Sequence, residues 1–462
     1  MHSIDSRPNA SRTKADTIVI GAGPAGLGAA LALGDSAIVL ESRETVAGLC
    51  GTLTLDGAIF DLGGHSFHTP HPAIRRLVFD ALEMEEQNRD AWCWLNGEWV
   101  RYPFQQHFSE LADSDSRHAC QIGLDAARGW QDAANFDEYL DRRFGRGITE
   151  LFMRPYNRKL WGADLTRLDT EWVAERVAAP VGIAESSMSA SRRRSPLPRE
   201  AVIAYPAKGG YGEIFQALAR RVADLRFRQC VTRIDPRNST LRTANGETAS
   251  WRRIISTLPL PALLRLIPNV PTAISSAVSE LETVPITLVM LVLDGRHETL
   301  RQRIYCPDKN IIGHKIVLNH NSSRWLRTLP RHGVQVELSE FNPFFSSSTD
   351  VRSLVKAVVA GLLRMGVISS PDYVRRTKVL RIPFGYPVQT QSRSNIVALA
   401  QYWLSEHRIY TVGRFGEWAY VNSDEALYRG HCVGMKLAVS ESTQCGGPPA
   451  ATRPSRPVTF DT

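Results

Sequence analysis

The pattern of apolar and polar residues divides the chain into a β–α–β start, a helical stretch and a strand-rich stretch. The segment "DTIVIGAGPAGLGAALALGDSAIVLES" predicts a strand, a glycine-rich loop, a helix and a second strand. Residues 72–185 place apolar residues three and four apart, which predicts helices. Residues 284–389 contain short runs such as "ITLVMLVLD" and "VQVELSEF", which predict strands. A final strand and helix are predicted in "YTVGRFGEWAYVNSDEALYRGHCVGMKLA".

The glycine-rich loop has the spacing of a dinucleotide-binding motif. Gly21, Gly23 and Gly26 form G-x-G-x-x-G directly after the first strand, and Glu41 ends the second strand. Gly21 permits the tight turn, Gly23 lets the backbone approach a pyrophosphate, and Gly26 allows close packing of helix on strand. Glu41 is placed to accept a hydrogen bond from a ribose hydroxyl.

Further glycines favour FAD over NAD. Gly48 and Leu49 follow the ribose carboxylate, and the pair Gly63–Gly64 precedes His65. A simple NAD dehydrogenase does not need these extra close-approach positions, whereas a flavin that crosses the domain does. Gly413 and the helix after it are predicted to complete the cofactor site. The strand "CVTRID" is predicted to offer the backbone of Val231 to the adenine.

We therefore predict an α/β fold: a discontinuous FAD-binding Rossmann-like domain with an inserted helical domain and an antiparallel β-sheet domain. The predicted boundaries are a disordered N-terminus at 1–15, an FAD-binding domain at 16–75, 205–283 and 390–440, a helical substrate domain with a mobile flap at 76–204, an antiparallel sheet substrate domain at 284–389, and a disordered tail at 441–462.

Composition narrows the class of protein. The chain has 462 residues, more than the ~250–300 that one core usually supports. A net charge of +8 is thinly spread, so a nucleic-acid partner is not predicted, while an anionic small substrate is compatible. Seven cysteines without a Cys-x-x-Cys pair indicate a reducing compartment and no zinc site. Because no window approaches a membrane span and no signal peptide is evident, we predict a cytoplasmic protein. The sequence leaves its oligomeric state open, including a homo-oligomer.

Six segments in order resemble the UDP-galactopyranose mutases. They are "GGHSFHT", "RYPFQQHF", "FMRPYNRKLW", "WVAERVAAP", "YPAKGGYG" and "GRFGEWAY". The resemblance covers roughly residues 16–440. It implies a flavin-dependent isomerase of galactofuranose biosynthesis that interconverts the pyranose and furanose forms of a UDP-sugar. In that family reduced FAD attacks the anomeric carbon through N5 without net redox change, so NAD(P)H or another external reductant is implied.

The resemblance also implies roles for individual residues. Tyr102, Phe104 and Gln105 match the uracil-recognising segment, and Asn157 and Trp161 match substrate-pocket positions. Arg176 matches the arginine that binds the diphosphate. The remaining implied contacts are Tyr305, Tyr386 and Tyr420 to phosphate oxygens, His65 beside the isoalloxazine, and Arg414 and Asn422 near the cofactor.

This chain departs from the family pattern near the sugar and the second phosphate. Lys315 stands where a second diphosphate arginine is expected, and Ser322 stands where a tyrosine is expected. Lysine keeps the charge but loses the bidentate geometry. The flap near Glu200 lacks the usual asparagine, and the triple arginine at 192–194 is either a solvated loop or part of that flap.

Three alternatives stay open. Protoporphyrinogen and amine oxidases share the fold and the first glycine loop, so a flavin-dependent oxidase or desaturase is one. A non-catalytic binder of nucleotide sugars is another. The third is a mutase that acts on a different nucleotide sugar.

Overall fold

The computed structural model describes residues 13–127, 129–180, 202–297, 299–346 and 349–444. In the first part of the chain the elements are, in order, β1 (Thr13–Ile20), α1 (Pro24–Leu33), β2 (Ala37–Leu40), β3 (Thr52–Leu55), β4 (Ala58–Asp61), α2 (Pro72–Phe79), β5 (Met84–Asn88), β6 (Ala91–Leu95), β7 (Glu98–Arg101), α3 (Phe104–His107), α4 (Ser114–Asp125), α5 (Phe136–Ile148), α6 (Arg154–Trp161) and α7 (Val173–Arg176). They are followed by β8 (Val202–Pro206), α8 (Glu213–Ala219), β9 (Asp224–Arg226), β10 (Val231–Asp235), β11 (Thr240–Thr243), β12 (Thr248–Ser256), α9 (Leu260–Arg265), α10 (Thr272–Ser279), β13 (Thr283–Leu293), β14 (Arg303–Tyr305), β15 (Lys315–Val317), α11 (Arg324–Thr328), β16 (Gly333–Ser339), α12 (Val351–Arg364), β17 (Val374–Pro387), α13 (Arg393–Glu406), β18 (Ile409–Thr411) and α14 (Ser423–Gln444).

The first sheet is the core of a Rossmann-like unit. Within the described residues it has seven strands in the order β10-β11-β12-β1-β2-β9, with β18 also paired to β12. The pairs β12–β1, β1–β2, β2–β9 and β12–β18 are parallel, so their carboxyl ends share one edge. Helix α14 packs along α1, and a Cβ at Gly28 would lie 2.1 Å from the carbonyl oxygen of Leu427. The last helix therefore completes the unit that β1 and α1 begin.

The second sheet is assembled from two distant parts of the chain. Its strand order is β17-β13-β16-β15-β14-β6-β7 in the part of the chain that the structure describes. Neighbouring strands are antiparallel except β14 and β6. On β16, Val334, Val336 and Leu338 pack in the cluster that includes residues of α12. The alternate residues Gln335 and Glu337 are equally buried and lie on the opposite face, toward α6.

The α/β fold with a discontinuous Rossmann-like unit is confirmed, but parts of the element prediction are wrong. Residues 84–101 form three strands rather than helix, because "AWCWLNGEWV" is a hairpin whose first strand pairs with β14. Helix α12 is missing from the prediction, although Asp350 caps it by accepting from the Ser353 amide at 3.0 Å. Strand β1 begins at Thr13 and α14 continues to Gln444, so both predicted disordered tails are too long. The predicted flap, with Glu200 and the triple arginine at 192–194, lies outside the described residues.

No helix of the described residues is long and apolar enough to cross a membrane.

Candidate active site

The loop after β1 is shaped by positions that accept only glycine. Gly21 has a φ of 98°, and a Cβ there would lie 2.2 Å from Oγ1 of Thr257. A Cβ at Gly26 would lie 1.9 Å from the carbonyl oxygen of Gly21. Gly23 is the N-cap of α1 and supplies no side-chain cap. The first amides of α1 are therefore left to an external acceptor, as in dinucleotide-binding proteins.

Glu41 closes this loop from the end of β2. The carboxylate is 4% exposed, and its two oxygens accept from the amides of Ala22 at 2.8 Å and Arg43 at 2.9 Å. Oε1 also accepts from the Ser42 hydroxyl at 3.3 Å, so Oε2 is the oxygen that keeps a lone pair for another donor. The amide of Gln229 donates to the Glu41 backbone carbonyl oxygen at 2.8 Å, which holds the segment just before β10 against the end of β2; Val231 is the first residue of β10.

Two more glycines predicted for the cofactor site, Gly48 and Gly413, lie close to the start of α1. A Cβ at Gly48, whose φ is 56°, would lie 3.3 Å from the Gly23 Cα. A Cβ at Gly413, whose φ is 88°, would lie 2.7 Å from the Ala25 Cβ. The structure thus gathers the predicted cofactor glycines around the N-terminus of α1. This arrangement fits FAD, because the close contacts at Gly21, Gly26 and Gly413 pack the loop and the later segment against α1, whose N-terminus is suited to a diphosphate.

His65 lies between this loop and the second sheet. Its Nε2 is 3.2 Å from the Leu49 carbonyl oxygen and 3.3 Å from that of Leu62. Its ring stacks on Tyr211 with centroids 5.0 Å apart and planes at 13°. Burial, with Arg414 and Lys315 nearby, lowers the pKa of His65 to about 4. At neutral pH the ring is therefore neutral, with its proton on Nε2 facing two acceptors and Nδ1 left as an acceptor.

Arg303 is a buried cation that sequence reasoning missed. Its Nη2 donates to the His65 carbonyl oxygen at 2.5 Å. A Cβ at Gly64 would lie 3.0 Å from Nε of Arg303 and 3.2 Å from Cε of Lys315. Gly63 needs to be glycine because its φ is 122°. The Gly63–Gly64 pair therefore allows the second sheet to close onto His65.

Arg414 fixes the segment that closes the cofactor site. Its Nε and Nη2 donate to the Val421 carbonyl oxygen at 3.0 and 2.7 Å, and its Nη1 donates to that of Gly385 at 3.3 Å. The residue predicted to lie near the cofactor thus joins the loop before α14 to β17.

Most of the predicted aromatic residues meet in one group. Tyr102 stacks on Tyr305 with centroids 4.4 Å apart and planes at 24°. Tyr420 contacts Tyr386 at 5.3 Å and Trp161 at 5.4 Å, both edge-on. These residues come from separate stretches of the chain, so their convergence is a result of the tertiary fold.

Arg176 joins this group to the flavin unit. Its Nη1 donates to the Asn422 side-chain oxygen at 2.6 Å. Its guanidinium carbon lies 4.1 Å from the ring centroid of Tyr420, a cation–π contact. Three predicted site residues are therefore in direct contact.

Other predicted residues have structural partners. Phe104 has no exposed surface and stacks on Phe152 at 5.0 Å, so the structure places it in the core and not at the surface of the site. Gln105 donates to the Ala178 carbonyl oxygen at 2.8 Å. Asn157 donates to that of Met153 at 2.7 Å. Gln105 thus tethers the segment just after Arg176, whereas Asn157 is bonded within its own helical segment.

Lys315 is part of a buried network of charged and polar side chains. Its Nζ lies 2.8 Å from Oε2 of Glu337, which is 2% exposed. The Tyr386 hydroxyl donates to Oε1 of Glu337 at 2.5 Å, and His314 Nε2 lies 3.2 Å from the same oxygen. Burial alone would raise the pKa of Glu337, but the Lys315 ammonium outweighs it and holds that pKa well below its usual range. Glu337 is absent from the predicted site, although a carboxylate within "VQVELSE" is an unusual residue for a buried strand.

Ser322 is buried at the end of a short turn after residues 319–321, and its carbonyl oxygen accepts from the side-chain amide Nε2 of Gln87. This contact joins it to β5 and not to the aromatic residues above.

The known proteins that are similar to this chain share one fold but differ in their activities. Residues 24–332 match the family model described as flavin containing amine oxidoreductase. A solved structure of reduced UDP-galactopyranose mutase is 26% identical, with a TM-score of 0.82 over 93% of this chain and 96% of that chain. A putative protoporphyrinogen oxidase from Exiguobacterium sp. 255-15 is 16% identical, with a TM-score of 0.67 over 94% of this chain and 100% of that one.

A curated relative, the putrescine oxidase of Kocuria rosea, is 39% identical over 90 residues. That match spans 18% of this chain and 19% of the length of the relative.

Proposed function

The chain belongs to the flavin containing amine oxidoreductase family and binds FAD, and from this premise we propose that the protein is a mutase. It would interconvert the pyranose and furanose forms of a UDP-sugar. UDP-galactopyranose is the first substrate to test. The observation that carries the proposal is the contact group of Arg176, Asn422 and Tyr420 beside the Tyr102–Tyr305 stack. The 26% identity and near-complete coverage of the solved UDP-galactopyranose mutase support it.

The residues of this group suit a nucleoside diphosphate. A planar guanidinium with several N–H donors suits a diphosphate better than a point charge does. Stacked aromatic rings such as Tyr102 and Tyr305 offer a flat face to a base. The hydroxyl of Tyr420 is a donor for a phosphate oxygen, whereas that of Tyr386 donates to Glu337 and would have to exchange this partner. Fixed donors are most effective where negative charge develops on a leaving group.

The flavin would supply the hard chemistry: when bound and reduced by an external donor, it provides a nucleophile for the anomeric carbon without net oxidation. This chain's residues then hold the substrate and exclude water. His65 is neutral and offers Nδ1 as an acceptor on the side away from Leu49 and Leu62. Lys315 is neutralised by Glu337, so Arg176 carries more of the diphosphate charge than its counterpart would in a site with two free arginines.

The second candidate is a flavin-dependent oxidase of the amine oxidase or protoporphyrinogen oxidase type. The local identity to putrescine oxidase and the family model favour it. An amine substrate that binds as a cation would be favoured by a carboxylate without a cationic partner, and the buried carboxylate Glu337 is paired with Lys315. That pairing argues for the mutase.

A single experiment separates the two. Protein reduced with dithionite under argon is incubated with UDP-galactopyranose and a panel of other UDP-sugars, and the products are separated chromatographically. The mutase predicts ring contraction with reduced flavin and essentially none with oxidised flavin. The oxidase predicts that an amine or related substrate bleaches oxidised flavin in the absence of dithionite. Equal sugar turnover in both redox states would contradict the mutase proposal.

A further inference from the structure

Lys159, in the middle of α6, is fully buried and bound only by backbone oxygens. Its Nζ donates to the carbonyl oxygens of four residues in the loop between β14 and β15: Cys306 at 2.9 Å, Asp308 at 3.1 Å, Ile311 at 2.5 Å and Gly313 at 2.7 Å. No carboxylate lies within ion-pair distance of this ammonium among the residues that the structure describes.

This arrangement is a carbonyl cradle for a monovalent cation. An ammonium has three N–H groups, so with four acceptors at least one oxygen shares a donor or is held by charge alone. Rings of backbone carbonyl oxygens are also how proteins replace the water around K⁺. Burial lowers the pKa of Lys159 to about 8, which still leaves the amine protonated at neutral pH. The chain thus supplies the cation from its own side chain.

The loop around the ammonium joins two residues of the candidate site. It begins directly after Tyr305, which stacks on Tyr102, and ends at His314 and Lys315, which both contact Glu337. The helix that carries Lys159 also carries Trp161. The buried ammonium of Lys159 therefore connects the parts of the chain that carry Tyr305, Lys315 and Trp161.

We propose that Lys159 is a positioning residue whose ammonium occupies a monovalent-cation cradle and holds the β14–β15 loop so that Tyr305 and Lys315 face the substrate. The effect on substrate rests on the proposed function, whereas the cradle itself does not. Removal of the side chain leaves four carbonyl oxygens directed at an empty space, which a free cation of the right size can fill.

The test uses the FAD-loaded full chain and three variants. Lys159→Ala opens the cradle, Lys159→Met fills the same space without charge, and Arg158→Ala removes an exposed cation one position earlier in the same helix. We expect Lys159→Ala to keep its FAD, melt at a lower temperature, and bind UDP roughly 10- to 100-fold more weakly through misplacement of the site. Ammonium, K⁺ or ethylammonium should raise its melting temperature and restore part of the UDP affinity. Tetramethylammonium, which has no N–H and is larger, should do neither.

The matched variants decide the outcome. Arg158→Ala should resemble wild type in every measurement. Lys159→Met should fold, because the apolar stem is kept, but bind UDP weakly and gain nothing from added cations. If the melting temperature of Lys159→Ala does not respond to any of these cations, or if that variant is insoluble and Lys159→Met binds UDP like wild type, the proposal is overturned. If cations restore the melting temperature but wild type itself does not bind UDP, the cradle stands and the mutase function fails.

Discussion

The cofactor cradle and the substrate face are built by opposite means. Around α1 the site is shaped by closely packed backbone at glycine positions. An added Cβ at Gly21, Gly26 or Gly413 would collide with neighbouring protein atoms. On the second sheet the shape comes from large and charged side chains: Lys315 and Glu337 neutralise each other, and Arg303 donates to the carbonyl oxygen of His65. A site formed by backbone at glycine positions requires a nearly fixed local sequence, whereas in a site formed by side chains one substitution can compensate for another. The first kind of site (the backbone-built region) can therefore be recognised from a sequence motif, and the second kind (the side-chain-built region) can be recognised only once the fold is known.

The largest effect should follow a change in the backbone-built region. Gly23→Val should abolish nearly all FAD binding and leave the purified protein colourless. A Cβ at Gly23 would still lie 3.7 Å from the Gly48 Cα, so the chain can fold, but the valine methyls would occupy the gap where the pyrophosphate must approach. The measurement is flavin absorbance per protein after gel filtration.

Gly246→Ala is the control for this change. Gly246 has a φ of 88° and nothing within 4 Å of an added Cβ, so alanine should cost roughly 1–2 kcal/mol of stability through backbone strain and leave the flavin content unchanged. A yellow Gly23→Val protein with wild-type flavin content would show that the FAD site lies elsewhere.

The same contrast explains what could be predicted from sequence. Gly21, Gly23, Gly26 and Glu41 lie in one short stretch of the chain, and their spacing carries the geometry without any knowledge of tertiary contacts. The family resemblance then identifies Arg176, Tyr102 and the other aromatic residues, most of which do converge. Nothing local marks Arg303 as the partner of His65, because the two lie in distant parts of the sequence and meet only in the folded chain.

The errors have similar physical causes. The helix predicted over β5 to β7 is wrong because "MEEQNRDAWCWLNGEWV" has no strict alternation, and the hairpin is stabilised by pairing with β14, far along the chain. The resemblance assigns Phe104 to the base through its neighbours in sequence, yet an apolar ring gains more from burial against Phe152. The pairing of Lys315, which stands where a second diphosphate arginine is expected, could not be predicted either, because its counter-ion Glu337 is no sequence neighbour and comes opposite it only through the pairing of β15 with β16.

The second largest effect is expected when one charge of the Lys315–Glu337 pair in the side-chain-built region is removed. Glu337→Gln or Lys315→Met alone leaves one buried charge without its partner, which costs about 3–5 kcal/mol of stability. The double variant should be closer to wild type than either single variant, because no uncompensated charge remains. Chemical denaturation of all four proteins in a double-mutant cycle measures this coupling. Additive losses would mean that the pair is not coupled.

The pH dependence of the same pair has a defined sign. The pKa of Glu337 is lowered in the fold, so its contribution is complete above the ordinary glutamate pKa of about 4.3 and is lost as pH falls below it. The pKa of Lys315 is raised, chiefly by Glu337 against the opposing effect of burial, so its contribution is complete below the ordinary lysine pKa of about 10.4 and is lost as pH rises above it. The stability difference between wild type and Glu337→Gln, measured by denaturation from neutral to acid pH, should therefore shrink as pH falls below about 4.3.

The smallest of the three effects concerns Arg176, where the two regions meet. Arg176 contacts Asn422 at 2.6 Å and Tyr420 at 4.1 Å, both on the segment before α14, yet it lies in α7, between the two parts of the chain that form the second sheet. If it holds the diphosphate, Arg176→Ala leaves a buried anion short of a partner at a cost of ~2–5 kcal/mol. That cost corresponds to roughly 30- to 5000-fold in kcat/KM on the reduced protein.

Two comparisons decide whether Arg176 belongs to the substrate face or to the cofactor cradle. Arg176→Lys should recover only part of the UDP affinity, because it restores the charge without the planar donor pair. Flavin content should be unchanged in both variants, since the guanidinium bonds to a side chain of the closing segment and to no part of the glycine loop. UDP affinity is measured by calorimetry and flavin by absorbance. An Arg176→Ala protein that binds UDP normally but loses FAD would show that Arg176 supports the FAD site and not the substrate site. In that case the cofactor site would also depend on a side chain of the substrate region, and the contrast between the two regions would no longer hold.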